Sequence, residues 1–156
     1  MSHEERMRAA IDIARRGIAS GQTPFGAALY DGDKLISAAH NRVWDLTDIT
    51  AHAEILAIRQ ACAKLGTIDL SHLTLYSTCE PCPMCFAASH WARIGCIVYG
   101  ADIDDAQRAG FNELPLSNEE LVRFEEVPTQ LIPHVLREEC AALFDEWSLR
   151  SGSSAY

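Results

Sequence analysis

His52 and Glu54 stand two apart in Thr50-Ala51-His52-Ala53-Glu54, and Cys82 and Cys85 stand three apart in Cys79-Glu80-Pro81-Cys82-Pro83-Met84-Cys85. One imidazole and two thiols make a three-ligand zinc set, with the Glu54 carboxylate left over. A structural zinc is closed by four protein ligands. A hydrolytic zinc keeps three and leaves the fourth position to a water whose pKa falls to roughly 7. The residue types therefore describe an open zinc site that carries its own acid/base.

Helix geometry restricts where these residues can lie. Residues two apart in a regular helix point about 200° away from each other. His52 and Glu54 therefore fit only a helix's first turn, where the metal lies beyond the helix end and Glu54 reaches the water held on it. Cys82 and Cys85 can face one point, with Pro81 and Pro83 placed where prolines suit a first turn. Two helix N-termini aimed at the metal would favour thiolate over thiol at both cysteines. A redox dithiol, or half of a structural zinc site with Cys79 as a third thiol, is the competing reading. Cys79 precedes Cys82 by an extended stretch that ends a strand, and an iron-sulfur cluster would need a fourth nearby cysteine. Cys62, Cys96 and Cys140 read as buried small hydrophobes. His3, His40, His72, His90 and His134 read as surface or half-buried residues.

The elements that must position these groups follow from periodicity. Met7, Ile11, Ala14 and Ile18 step at helical spacing, so a first helix is expected from Glu4 to Ala19, ending at Gly21. Phe25–Tyr30 and Leu35–His40 flank Asp31-Gly32-Asp33-Lys34, a hairpin signal. A helix is expected from Ala51 to Leu65, burying Ile55, Ile58, Cys62 and Leu65 and stopped by Gly66. Then come a strand Leu73–Ser77, a helix Cys82–Arg93, a strand Ile94–Tyr99, a last strand Gln130–Val135 and a helix Arg137–Leu149. Strands alternating with helices of this length imply a layered α/β fold. The 156 residues suit one domain, 1–156, with 151–156 a flexible tail, and 48% hydrophobic content is enough for a core without disulfides. No signal-peptide or membrane-span pattern is present, and six cysteines, several in a metal motif, point to a cytoplasmic location.

The H-x-E and P-C-x-x-C motifs are the signature of zinc nucleobase deaminases. Throughout its length the sequence resembles the cytidine deaminase superfamily, and within it the bacterial guanine deaminases and then the tRNA adenosine deaminases. They share Pro24-Phe25-Gly26-Ala27, Asn41, Ala51-His52-Ala53-Glu54 and Pro81-Cys82-Pro83-Met84-Cys85. The resemblance implies a three-layer α-β-α sandwich on a mixed five-stranded sheet, and Zn2+ on His52, Cys82 and Cys85. It also implies attack of zinc-bound hydroxide on an amino-bearing ring carbon, with Glu54 as proton shuttle. For substrate binding it implies Phe25, Asn41, Ala53, Trp91, Glu113 and Tyr156, the last as an aromatic lid over the pocket from the same or a partner subunit. A homodimer is likewise implied.

The zinc motif alone does not choose the amine. Twenty-two acids against 13 bases give a net charge of −9, which repels a polyanion. The expected C-terminal helix carries Glu138, Glu139, Asp145 and Glu146 against Arg137 and Arg150. A nucleic-acid partner is therefore disfavoured, and no membrane partner is expected. In Ala109-Gly110-Phe111-Asn112-Glu113, Glu113 matches the acidic base reader of the guanine deaminases, with Asn112 as the other candidate, while a solvated loop is the bland reading. A carboxylate suits guanine, whose N1 carries a hydrogen, and repels adenine, whose N1 is an acceptor. The expectation is a deaminase of a small amino-purine, guanine to xanthine. The alternatives are a tRNA adenosine deaminase with a basic track from Arg6, Arg8, Arg15, Arg16, Arg42, Arg59 or Arg93, a cytosine, cytidine or amino-triazine deaminase, and a non-catalytic zinc module.

Overall fold

The structure, a computed structural model, describes residues 1–156. Helix α1 (His3–Ala19) begins at a capping box in which the Glu5 amide donates to Ser2 Oγ and the Ser2 amide to the Glu5 carboxylate. Strands β1 (Gly26–Asp31) and β2 (Lys34–His40) form the expected hairpin, turned at Gly32 with φ 55°. After the short helix α2 (Val43–Leu46) come α3 (Ala53–Leu65), β3 (Thr74–Cys79), α4 (Pro83–Trp91) and β4 (Cys96–Ala101). Helices α5 (Ile103–Arg108) and α6 (Asn118–Leu121) follow, then a 3-10 turn (Val122–Phe124), β5 (Gln130–Ile132) and α7 (Arg137–Ser148).

The sheet runs β2-β1-β3-β4-β5, with β1 antiparallel to both neighbours and β3, β4 and β5 parallel. Period-two alternation divides the core between its faces. Ala27, Leu29, Leu75, Ile97 and Tyr99 meet α3 and α4. Ala28, Tyr30, Tyr76 and Val98 meet α1 and α7. This is the mixed five-stranded, three-layer α-β-α arrangement. Gly26 is required where α1 crosses β1, because a Cβ there would strike the Ala10 carbonyl oxygen and Ala14.

Several expectations need correction. Helix α3 turns Ala53, Leu56, Ala57, Ile58 and Ala61 inward, leaving Ile55 and Cys62 half-buried and Leu65 exposed. The helix is apolar on more than one side, and its alanine face is the one that lets it approach the sheet closely. The stretch 102–116, for which no helix or strand was expected, opens with α5 behind a capping box between Asp102 and Asp105. Cys140 is buried, but Cys62 and Cys96 are only half-buried. The tail at 151–156 has no regular structure, yet Trp44 Nε1 donates to the Ser154 carbonyl at 2.9 Å and the Asn112 amide to the Tyr156 carbonyl at 2.9 Å. No helix is long and apolar enough to cross a membrane.

Candidate active site

His52 is the N-cap of α3 and Cys82 the N-cap of α4, both in extended backbone and neither capping its own helix with its side chain. Their side chains point past the helix ends instead. Glu54 falls in the first turn of α3, and Pro83 opens α4 two residues before Cys85. Two positive helix ends therefore meet at one point. Cys82 Sγ lies 3.6 Å and Cys85 Sγ 3.5 Å from His52 Nδ1.

These distances test the fit of zinc. Zn–N of about 2.0–2.1 Å and Zn–S of about 2.3 Å at the tetrahedral angle give an N···S edge of about 3.6 Å. The two N···S edges thus match the spacing zinc needs, all three donors lie within 4.8 Å of one another, and they form a metal-holding group without Cys79. That thiol ends β3, is buried, and donates toward the Asp102 carbonyl at 3.4 Å. A three-residue set leaves zinc's fourth position open.

The charges are polarised. The Cys85 thiol points at the Cys82 sulfur, and with His52 adjacent Cys82 is lowered to about 4, while Cys85 is pushed well above the ordinary thiol range. Burial opposes charge on His52, but the Cys82 sulfur outweighs it and raises the imidazole's pKa. Glu54 is 6% exposed. It accepts from Ser77 Oγ at 2.8 Å on Oε1, and its Oε2 is 3.4 Å from Cys85 Sγ. Burial first, and the Cys82 charge second, push its carboxyl upward.

Phe25, Asn41, Glu113 and Tyr156 line the same cavity as His52, Glu54 and Cys82. Its free volume is 20 Å³, room for about one water. Phe25 packs edge-on to Phe111 and Phe144. Asn41 is 1% exposed, donating from Nδ2 to the Tyr156 hydroxyl at 2.7 Å and accepting the Val43 amide at 3.0 Å. Burial and then the Cys82 charge raise Glu113 to about 7. Beside this cavity an apolar vestibule of 310 Å³ opens between Ile49, Met84, Asn112 and Leu114, sharing His52, Glu113 and Tyr156 as its inner wall.

Two expected substrate residues do not line this cavity. Trp91 is 82% exposed at the far end of α4, nine residues and so about 13 Å of helix rise from Cys82. Ala53 is fully buried and packs with the α3-side core, so its side chain does not line the cavity. Sequence reasoning missed Ser77 and Glu80. Their available signal was a hydroxyl on the face of β3 that Leu75 buries, and an acid set between a strand's end and the thiol turn.

The chain matches the model of the cytidine and deoxycytidylate deaminase zinc-binding region over residues 1–101. It is 42% identical over 114 residues to a guanine deaminase of Bacillus subtilis (strain 168), covering 72% of this chain and 73% of that protein. It is 42% identical over 101 residues to a tRNA-specific adenosine deaminase of Aquifex aeolicus (strain VF5), covering 65% of this chain and 67% of that one. The structure of a guanine deaminase from Nitrosomonas europaea superposes with a TM-score of 0.87 at 35% identity, covering 96% of this chain and 86% of that one.

Proposed function

We propose, from the premise that this chain belongs to the cytidine and deoxycytidylate deaminase family of zinc hydrolases, that it converts guanine and water to xanthine and ammonia. The observation that carries the choice of base is the Glu113 carboxylate in the wall of the cavity that holds the metal triad. Ionised, it accepts from the N1–H of guanine and repels the N1 lone pair of adenine. The Asn41 amide is a partner for the base's remaining polar edge, once the Tyr156 hydroxyl gives it up. Phe25 supplies a flat apolar wall. Tyr156 acts as a lid.

His52, Cys82 and Cys85 would hold the ion, which supplies a Lewis acid that brings the pKa of water near 7. Glu54 takes one proton from the water and passes it to the ring nitrogen beside the reacting carbon, then takes the second proton from the added oxygen as the carbonyl forms and passes it to the amine as the C–N bond breaks. Ser77 fixes one Glu54 oxygen. The other loses its thiol donor when Cys85 becomes a ligand, so it is free for proton transfer.

A tRNA adenosine deaminase is the second reading, favoured by the likeness to the Aquifex enzyme. Against it, Arg6, Arg8, Arg15, Arg42 and Arg93 are each paired with a carboxylate, so five of the seven arginines of a basic track are neutralised. A homodimer acting in the cytoplasm on a small amino-purine completes the proposal. Ammonia release by the zinc-loaded protein should be compared across guanine, adenine, cytosine, their nucleosides, amino-triazines and an anticodon stem-loop RNA. Release from guanine is the expected result. Release from the RNA alone would sink the small-molecule reading.

A further inference from the structure

Glu80 sits between the end of β3 and the thiol turn and is 8% exposed. Both of its carboxylate oxygens are engaged by backbone amides distant in sequence. Asn118 N donates to Oε1 at 2.8 Å and Ile103 N to Oε2 at 3.4 Å. These are the first residues of α6 and α5, whose amides have no partner inside their own helices. Around the carboxylate the joint is doubled. The Glu80 amide donates to the Ala101 carbonyl at 2.8 Å, and fully buried Asn118 sends Nδ2 to the Pro81 carbonyl at 2.7 Å.

The segment 103–118 therefore has both ends fixed to Glu80 and Pro81, the two residues that lead into Cys82. Glu113 lies inside that segment. On one side of it Phe111 is anchored in the aromatic cluster with Phe25 and Trp147, and on the other stands Asn118. Asn112, Leu114 and Pro115 are exposed, and apart from the bond of the Asn112 amide to the Tyr156 carbonyl at 2.9 Å this part of the chain is held from its two ends. Hydrogen bonds to an ionised acceptor are roughly twice as strong as neutral ones. Although Glu80 lines the cavity, its oxygens are taken by the loop ends, which argues against a role in touching substrate.

We infer that Glu80 is a positioning residue that ties both ends of the 103–118 segment to the thiol turn, fixing Glu113 relative to the metal ligands and so setting which heterocycle is deaminated. This rests on Glu113 as the base reader. Glutamine at position 80 keeps the shape but offers one oxygen, so one loop end meets an NH2 group in place of an acceptor.

The test combines kinetics with amide exchange on the zinc-loaded protein. Glu80→Gln should lower the guanine-over-adenine ratio of kcat/KM by about tenfold or more, chiefly through KM for guanine. The Glu80→Gln/Glu113→Gln double variant should be no worse than Glu113→Gln alone, within about threefold, because both act through one carboxylate. Equal losses on both bases, or losses that multiply in the double variant, would overturn the positioning role. Should Glu113→Gln by itself leave guanine turnover unchanged, the base-reader assignment fails, and exchange then judges the tether alone. Faster exchange across 103–118 in Glu80→Gln, by about tenfold with β3 and β4 unchanged, upholds it, and unchanged exchange refutes it. If Glu80→Gln does not fold, the wild type decides. Its Ile103 and Asn118 amides should exchange at least about a hundredfold more slowly than that of Leu114, and equal rates would refute the tether.

Discussion

Zinc loading has to release protons here, because the thiol pair without metal holds one thiolate and one thiol. Cys82, at about 4, is ionised across the neutral range, whereas Cys85 lies well above it and must lose its proton to become a ligand. His52, its pKa raised by the Cys82 sulfur, holds its proton more firmly than a free imidazole, and zinc has to displace that proton wherever it is bound. Zinc affinity should therefore rise with pH through the neutral range, with at least about one proton released per ion at pH 7. Titration calorimetry in two buffers of different ionisation enthalpy reads that number, and zero release would refute the assignment of Cys85 as ligand. Glu54→Gln should retain zinc within a few-fold yet lose about 10²–10⁴ in kcat, the usual worth of a positioned acid/base. Loss of zinc along with turnover would make Glu54 a ligand or a structural group. These residues were legible in the sequence because an H-x-E pair two apart has only one helical solution, a first turn, and the structure has it. Trp91 was expected from the resemblance alone, and in the structure it stands 82% exposed at the end of α4 far from the thiols. Ser77 was passed over because its one signal, a place two residues from Leu75 on the buried face of β3, names no partner, although it fixes the Glu54 carboxylate at 2.8 Å.

At the scale of elements, a tight constraint is the crossing of α1 over β1. Gly26→Ala would drive a methyl into the Ala10 carbonyl and Ala14, atoms of a packed helix with no room to retreat. We expect a loss of roughly 1–3 kcal/mol by urea unfolding, the usual cost of overpacking, and a variant as stable as wild type would show that α1 can shift. The 103–118 segment yields a pH prediction. Glu113 titrates near 7 because burial disfavours its charge, whereas guanine's N1–H needs the charged form. KM for guanine should therefore climb as pH falls below about 7, and Glu113→Gln should flatten that limb. Stability runs the other way. With its folded pKa raised, Glu113 favours the folded state below the ordinary carboxyl range and loses that contribution as pH rises to about 7, so Glu113→Gln gains stability at pH 8 relative to pH 5. A KM independent of pH in the wild type would argue against an ionised reader. Element order and sheet type could be read from hydrophobic periods of 2 and 3.6. The inward face of α3 could not, because Ile55, Cys62 and Leu65 follow the same spacing as the alanine stripe that actually meets the sheet. Helix α5 escaped for a related reason: it is held by its Asp102–Asp105 cap and buries only Ile103 and Ala106, too little for a periodic signal.

Over the whole molecule, one question is how a purine enters a site whose cavity admits about one water. Two parts of the chain 115 residues apart meet there: Asn41 follows the end of β2, and the Tyr156 hydroxyl accepts from its Nδ2. The tail is held at three further points, by Trp44 at Ser154, by the Asn112 amide at the Tyr156 carbonyl, and by Phe111 against the Tyr156 ring at 5.3 Å. A purine does not fit into 20 Å³ while the Tyr156 ring stands against Asn41, so substrate entry has to move the ring, either outward or into the adjoining vestibule of 310 Å³. Deleting Ser153–Tyr156 should then have opposed effects on two steps. Association with guanine should speed up, because no side chain has to leave Asn41 first. Turnover should fall by about tenfold or more, because the site loses its cover and water competes for every polar contact to the base. Stopped-flow binding of a non-reacting guanine analogue beside steady-state kcat separates these steps. A truncated protein with unchanged association and unchanged kcat would rule out a lid, and one with faster association and undiminished kcat would make the tail an inhibitory plug rather than part of the catalytic enclosure.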